Sequence, residues 1–282
     1  MKLHIVHRTC YRYAGSATYS IQILKLTPRR DPSQRTVSWR LGTPGRRVEQ
    51  VDAFGNTMHV LTLEGPHTEV VVHAEGLIET DESCADTQPA DGPLSPLVYS
   101  TTTQLTRCNG DIIGMAARVF RGEPATRESV MSLLAEVSKA VRYRAGSTLV
   151  SDSAIDVITR GEGVCQDQTH VAIAACRAAG VAARYVSGYL HTNDDSQASS
   201  HAWMDVWLPG ENRWFSCDVT HQRVADGHLC RLAVGRDYLD AAPVRGMRRG
   251  GGREELEVQV TIADSTPQQS QQQSQHQHPS PQ

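Results

Sequence analysis

The first 80 residues alternate apolar and polar side chains in short runs that turn-forming residues separate. Segments such as "SIQILKLT", "TMHVLTLE" and "TEVVVHAEGLIET" carry the period of two that is typical of half-buried strands. The turn signals "PRRDPS", "GTPG" and "DAFGN" lie between them. Several short strands in succession predict an all-β sandwich domain with its own core over residues 1–80.

The pattern changes after a polar, Pro-bearing stretch, which predicts a linker over residues 81–104. In "ESVMSLLAEVSKAVRYR" the apolar residues recur every three or four positions, as on one face of a helix. A second helix is predicted over "CQDQTHVAIAACRAAG", where Gly180 takes the place of a C-terminal glycine. The runs "VAARYVSGYL", "SHAWMDVWLP", "RWFSCDV" and "LEVQVTI" then read as strands. Residues 105–264 are therefore predicted to form an α+β core.

Composition limits the classes of function and partner. The net charge of -3 does not favour a nucleic-acid partner. Residues 265–282, "STPQQSQQQSQHQHPSPQ", hold almost no apolar side chains and are predicted to be disordered. The chain has no apolar run long enough for a membrane span and no apolar signal core near its start, so we expect a cytoplasmic protein without a membrane partner. The oligomeric state is not predicted.

Seven cysteines are scattered along the chain in an odd number and without a C-x-x-C pair. This argues against a disulfide framework or a zinc ribbon and favours reduced thiols. Cys165 follows the glycine-rich turn "GEGV" at the start of the second predicted helix. A helix N-terminus offers partial positive charge and free N–H groups, which favour a thiolate and can bind an oxyanion.

A nucleophilic thiol needs a histidine, and the histidine needs an orienting acceptor. His201 and Asp218 lie on the next two predicted neighbouring strands after "VAARYVSGYL", and a helix followed by such strands can bring all three together. Alternative interpretations remain open at this point. Cys165 and His201 can be buried structural residues, or the three can hold zinc, although catalytic zinc more often uses several histidines. Cys176 and Cys217 are predicted to be structural.

Three blocks in order carry a family resemblance: "GEGVCQDQTHVAIAACRAAGVAARYVSGYL", "SSHAWMDVWLPGENRWFSCDVT" and "GRDYLDAAPVRG". They resemble the bacterial transglutaminase-like proteins, often labelled cysteine proteases, over roughly residues 109–262. The resemblance implies a papain-like core after a β-rich domain, with Cys165 as nucleophile, His201 as base and Asp218 as orienting acid. One departure is Asp218-Val219-Thr220, because the family usually has Asp-Pro-Thr there, and this puts the rigidity of the turn in doubt.

The expected activity is thiol-dependent acyl transfer on a peptide or amide substrate through a thioester, ending in hydrolysis or transamidation. No cofactor and no metal ion are expected. The backbone N–H of Cys165 is one candidate oxyanion donor, and the side chains of Tyr143 and Gln166 are candidates for a second. Tyr143 can equally be a packing residue, and Gln166 can point away from the site. The competing hypothesis is a non-catalytic binding module or pseudoenzyme on the same fold.

Overall fold

The computed structural model describes residues 1–84, 86–88, 94–192 and 200–265. Long strands dominate the N-terminal part. In chain order they are β1 (Lys2–Leu24), β2 (Gln34–Gly42), β3 (Arg46–Val51) and β4 (Thr57–Thr80).

Helices and shorter strands make up the rest of the chain. Before the first of the long core helices lie β5 (Thr87–Gln88) and two 3₁₀ turns at Glu82–Cys84 and Pro96–Ser100. The next elements are α1 (Gly110–Phe120), α2 (Arg127–Ala140), β6 (Arg142–Tyr143), α3 (Ala154–Arg160), β7 (Glu162–Gly163) and α4 (Cys165–Ala178). The last are β8 (Ala183–Leu190), β9 (Ser200–Leu208), β10 (Arg213–Asp218), β11 (Arg223–Val224), β12 (Leu229–Gly235), α5 (Tyr238–Ala241), β13 (Val244–Gly250) and β14 (Glu254–Asp264).

The N-terminal sheet is antiparallel and six-stranded, with the order β13-β1-β4-β2, β14 on β1 and β3 on β4. Strands β1 and β4 pair along their length, and the register shifts between Arg12 and Ala17. The first half of β1 pairs with β14 and the second half pairs with β13. Both halves contribute to one buried cluster, for example through Ile5 and Leu24. The N-terminal region is thus β-rich, as the sequence predicts, and its strands form one sheet over a shared buried cluster.

Two strands lie elsewhere than the sequence predicts. The sequence predicts that residues 105–264 form the core, but β13 and β14 belong to the N-terminal sheet, where Ile262 pairs with Ile5. The cluster under that sheet also contains Tyr189, Cys230 and Leu232 from the second half of the chain. Residues 1–80 therefore do not form a core of their own. Alternation in "LEVQVTI" identifies a strand, but it does not identify the strand's partner.

A buried polar network joins the two parts of the protein. The Arg231 guanidinium lies 3.0 Å from the Asp31 carboxylate, and the Gln34 amide donates to the Arg231 carbonyl at 2.8 Å. The Asp205 carboxylate accepts from Arg184 at 2.7 Å and also from Arg231. These charged side chains are nearly inaccessible to water, so removal of one partner would leave a buried charge unpaired.

The core places α4 against a second six-stranded antiparallel sheet, in which β5 pairs with β10 and the other strands follow the order β11-β10-β9-β8-β12. Every residue of α4 from Asp167 to Arg177 is buried. Gly180, just past the helix, has φ of +74°, as expected of a C-terminal glycine. The helix and the strands β8, β9 and β10 are therefore confirmed where the sequence predicts them.

The predicted linker and the predicted disordered tail have different outcomes. Part of the predicted linker is ordered, because the turn at Pro96–Ser100 buries Tyr99 against Trp214. The predicted disordered tail lies, from residue 266 onward, outside the described residues. Within the described part of the chain, none of the helices combines the length and the apolar character that crossing a membrane requires.

Candidate active site

Cys165 is the first residue of α4, and its thiol is partly exposed. The turn before it is held by Asp167, whose Oδ2 accepts from the Val164 N–H at 2.8 Å and from the Thr148 hydroxyl at 2.5 Å. A Cβ at Gly163 would lie only 2.7 Å from the Cβ of Asp167, so this position needs glycine. Asp167 is itself fully buried, and burial raises its pKa. The sequence "GEGVCQD" therefore fixes the thiol at a free helix N-terminus.

His201 and Asp218 come together from neighbouring strands. His201 lies near the start of β9, and Asp218 is the last residue of β10. The His201 Nε2 lies 2.9 Å from Asp218 Oδ2, and both side chains are almost entirely buried. The Cys165 side chain lies close enough to the same imidazole to raise its pKa.

The environment makes this pair strongly ionic. Burial alone would lower the pKa of His201, but its hydrogen bond with Asp218 and its electrostatic interactions with Cys165 and Asp218 outweigh burial and raise the pKa to about 10. Burial likewise disfavours the Asp218 carboxylate, yet hydrogen bonds from His201 and His221 hold its pKa well below the usual range. At neutral pH the pair is therefore an imidazolium–carboxylate ion pair.

A second histidine on Asp218 was not identified from the sequence. His221 Nδ1 lies 2.7 Å from Asp218 Oδ2, and its backbone N–H donates to Oδ1 at 3.3 Å. The side chain of His221 is about one-third exposed, at 34%. The feature of the sequence that points to His221 is its position three residues after Asp218, in the hairpin between β10 and β11.

That hairpin is held by side chains on both sides. The Thr220 hydroxyl donates to the Gln168 amide oxygen at 2.8 Å, which ties the turn to α4. The Gln222 amide donates to the Ser138 hydroxyl at 3.0 Å, which ties it to α2. Val219 is fully buried. These contacts restrain the turn in which this chain has Val219 instead of the family's usual proline.

One side-chain group in the described residues has the composition of a metal site. The ligand atoms of His201, Asp218 and His221 all lie within 4.8 Å of one another. Two of the three separations are 2.9 and 2.7 Å, which are hydrogen-bond lengths. Ligands around tetrahedral zinc are about 3.3 Å apart, given Zn–N bonds of about 2.0–2.1 Å. We therefore assign the cluster as a hydrogen-bonded one.

The candidate second oxyanion donors lie in different surroundings. The Gln166 amide reaches the Val150 carbonyl at 3.4 Å, on the exposed side of the helix start. Tyr143 is half exposed at the end of β6. Burial is the main cause that raises the pKa of its hydroxyl, and the nearby Cys165 raises this pKa further. Tyr143 therefore remains the better candidate, and its role stays a prediction.

Other chemistry-bearing residues have structural surroundings. Cys176 and Cys217 are fully buried, and burial raises the pKa of Cys176 to about 12. His170 is also fully buried, and burial lowers its pKa to about 3. Its Nε2 accepts from the backbone N–H of Tyr238 at 3.1 Å. These residues stabilise the core around the site.

Known proteins resemble both parts of this chain. Residues 3–79 match the profile of the bacterial transglutaminase-like N-terminal region, and residues 113–219 match that of the transglutaminase-like superfamily. An uncharacterised protein of Mycobacterium leprae is 30% identical over 284 residues, which are 93% of this chain and 98% of that protein. A protein-glutamine gamma-glutamyltransferase of Pseudomonas aeruginosa is 33% identical over 101 residues, which are 32% of this chain and 15% of that protein.

A solved structure agrees with the fold. The crystal structure of a provisionally named cysteine protease from Cytophaga hutchinsonii has a TM-score of 0.76 to this chain. It is 23% identical and covers 95% of this chain and 92% of its own. The similarity therefore extends through the N-terminal sheet and the core together. With the matches to both family profiles, it follows that the chain belongs to the bacterial transglutaminase-like superfamily.

Proposed function

We propose that the protein is a cysteine-dependent acyl-transfer enzyme acting on an amide or peptide, with Cys165, His201 and Asp218 as its catalytic triad. The observation that carries this proposal is the shared imidazole. His201 is held by Asp218 through Nε2, and Cys165 at the start of α4 lies close enough to raise the pKa of the same ring. A nucleophile, a base and an orienting acid in this order are the elements of covalent catalysis.

The ion pair supports a specific division of roles. The proposed attacking species is the Cys165 thiolate, and an imidazolium at His201 would be its counter-charge. The thiolate sulfur forms a bond with the carbonyl carbon of the substrate, and the carbonyl electrons move onto its oxygen. When the C–N bond breaks, the imidazolium donates its proton to the departing amine. A thioester on Cys165 remains.

The second half of the reaction consumes that thioester. Water or a primary amine loses a proton to His201 and attacks the acyl carbon, and the Cys165 sulfur leaves as the thiolate. Hydrolysis and transamidation differ only in this second nucleophile. The developing oxyanion is adjacent to the free N–H groups at the start of α4, and we propose Tyr143 as a second donor. This chemistry uses no cofactor.

The substrate class follows from the chemistry and from one relative. A peptide, an isopeptide and a glutamine side chain all offer an amide carbonyl. The resemblance to a protein-glutamine gamma-glutamyltransferase makes the glutamine side chain the first acyl donor to test. We propose a cytoplasmic location on the sequence features alone.

Alkylation kinetics test the nucleophile without knowledge of the substrate. Cys108 is a matched internal control, because it is also a free, partly exposed thiol. An ordinary thiol is only about 0.3% ionised at pH 6. We expect iodoacetamide to label Cys165 at least about ten-fold faster than Cys108 at pH 6, and His201→Ala to remove the difference. Equal rates would contradict the proposal and favour a non-catalytic binding module.

A substrate panel then tests the reaction. Glutamine-containing peptides and simple anilides are incubated with and without a primary amine, and products are identified by mass spectrometry. Release of the acid indicates hydrolysis, whereas incorporation of the amine indicates transamidation. Fast alkylation of Cys165 combined with product formation by the Cys165→Ala variant would contradict the proposed mechanism.

A further inference from the structure

His221 has a position that the triad alone does not require. Its Nδ1 and the His201 Nε2 both contact Asp218 Oδ2, at 2.7 and 2.9 Å. The acceptor is a carboxylate, so each of these ring nitrogens carries a proton and donates. The two rings lie 5.3 Å apart and at 57° to each other. A single oxygen therefore serves two histidines.

Asp218 has no exposed surface, so its hydrogen bonds determine its orientation and its charge distribution. The nearby groups are the two histidines, Cys165 beyond His201, and the Arg223 guanidinium, whose Nε lies 3.9 Å from Oδ2. Arg223 makes a shorter contact, 2.8 Å, with Asp226. His221 is thus the closest donor to Asp218 other than the catalytic histidine.

The hairpin that carries His221 is anchored independently of its ring. Thr220 binds Gln168 on α4 and Gln222 binds Ser138 on α2. The His221 ring is partly exposed and adds little to the buried core. A substitution of the ring can therefore remove its donor while the turn stays in place.

We propose that His221 is a positioning residue of the active site, which fixes the Asp218 carboxylate and withdraws part of its charge so that His201 can release its proton during catalysis. This inference rests on the proposed function. Without the His221 donor, Oδ2 concentrates its charge on His201 and binds the imidazolium too strongly. The carboxylate also gains a second rotamer, which misorients the imidazole.

The test compares two substitutions of nearly identical shape. His221→Asn keeps an N–H donor at the same bond distance from Cβ as Nδ1, whereas His221→Leu has the same size and no donor. We expect the Asn variant to stay within about three-fold of wild type in kcat. We expect the Leu variant to lose about ten-fold in kcat with KM nearly unchanged, since the loss is one hydrogen bond to a charged group. The alkaline limb of its kcat/KM profile should move up by about 0.5–1 pH unit.

A direct titration separates this inference from the proposed function. The His201 imidazole is followed by NMR between pH 6 and 11 in wild type and both variants. If the pKa of His201 rises in His221→Leu and not in His221→Asn, the coupling is supported, whether or not the proteins turn over substrate. If none of the three proteins turns over substrate, the proposed function is refuted and the coupling is not. Equal titration curves in all three proteins overturn the coupling. Equal losses of kcat in the Asn and Leu variants overturn the role of the donor, and melting temperatures identify any variant that fails to fold.

Discussion

Removal of the Asp218 carboxylate should change stability in a way that depends on pH. In Asp218→Ala, the buried His201 loses its partner at 2.9 Å and His221 loses its partner at 2.7 Å. Breaking a buried ion pair costs about 3–5 kcal/mol. We expect the lower end, about 3 kcal/mol at pH 6, because an unpaired imidazole can lose its proton.

The pH window follows from the two pKa shifts. The pKa of His201 is raised to about 10, so its contribution is complete below the unfolded value of 6.5 and is lost as pH rises through about 10. The pKa of Asp218 is lowered, so its contribution is present above the unfolded value and is lost only at strongly acidic pH. The ion pair is thus fully stabilising between about pH 4 and pH 6.5.

Urea unfolding of wild type and Asp218→Ala at pH 6 and pH 10 measures the contribution of this ion pair to the free energy of unfolding. The difference in free energy of unfolding should fall from about 3 kcal/mol to about 1 kcal/mol, the value of a neutral hydrogen bond. Glu136→Ala is the control, since Glu136 forms an exposed pair with Lys139 at 3.2 Å. The free energy of unfolding of that variant should stay within about 0.5 kcal/mol of wild type at both pH values. An equal difference for Asp218→Ala at the two pH values would refute the ion pair.

Two further predictions concern the core. Cys176→Ser should lower the free energy of unfolding by about 1–3 kcal/mol, because it places a hydroxyl in a fully buried apolar site, whereas Cys108→Ser, partly exposed, should change it by less than about 0.5 kcal/mol. Asp205→Asn should lower the melting temperature by about 6–10 °C, since it leaves buried Arg184 and Arg231 without that carboxylate. An unchanged free energy of unfolding in Cys176→Ser, or an unchanged melting temperature in Asp205→Asn, would contradict the burial of the substituted side chain.

Local patterns in the sequence predict the helix and the strands that carry Cys165, His201 and Asp218. Helical periodicity and the terminal Gly180 predict α4, and the glycine-rich turn predicts its start at Cys165. The strands that carry His201 and Asp218 are short apolar runs with clear ends. Because consecutive strands are usually neighbours in a sheet, the pairing of β9 with β10 also follows.

Contacts between distant or irregular segments could not be predicted in this way. The pattern of β14 shows that it is a strand, but its partner β1 lies at the other end of the chain. The role of His221 depends on the conformation of the β10–β11 hairpin and on the rotamer of Asp218. Neither is encoded in periodicity. Such features depend on tertiary packing, which a single sequence does not reveal.

The proposed mechanism requires a covalent acyl intermediate on Cys165. Its test is the intact mass of the protein after acid quenching of a reaction with the γ-p-nitrophenyl ester of an N-acyl-glutamate, which carries the acyl group of a glutamine side chain, followed by peptide mapping. Wild type should gain one acyl group on Cys165, His201→Ala should gain it much more slowly, and Cys165→Ala should gain none. An adduct of equal amount on Cys165→Ala, or its absence from wild type, would contradict the account.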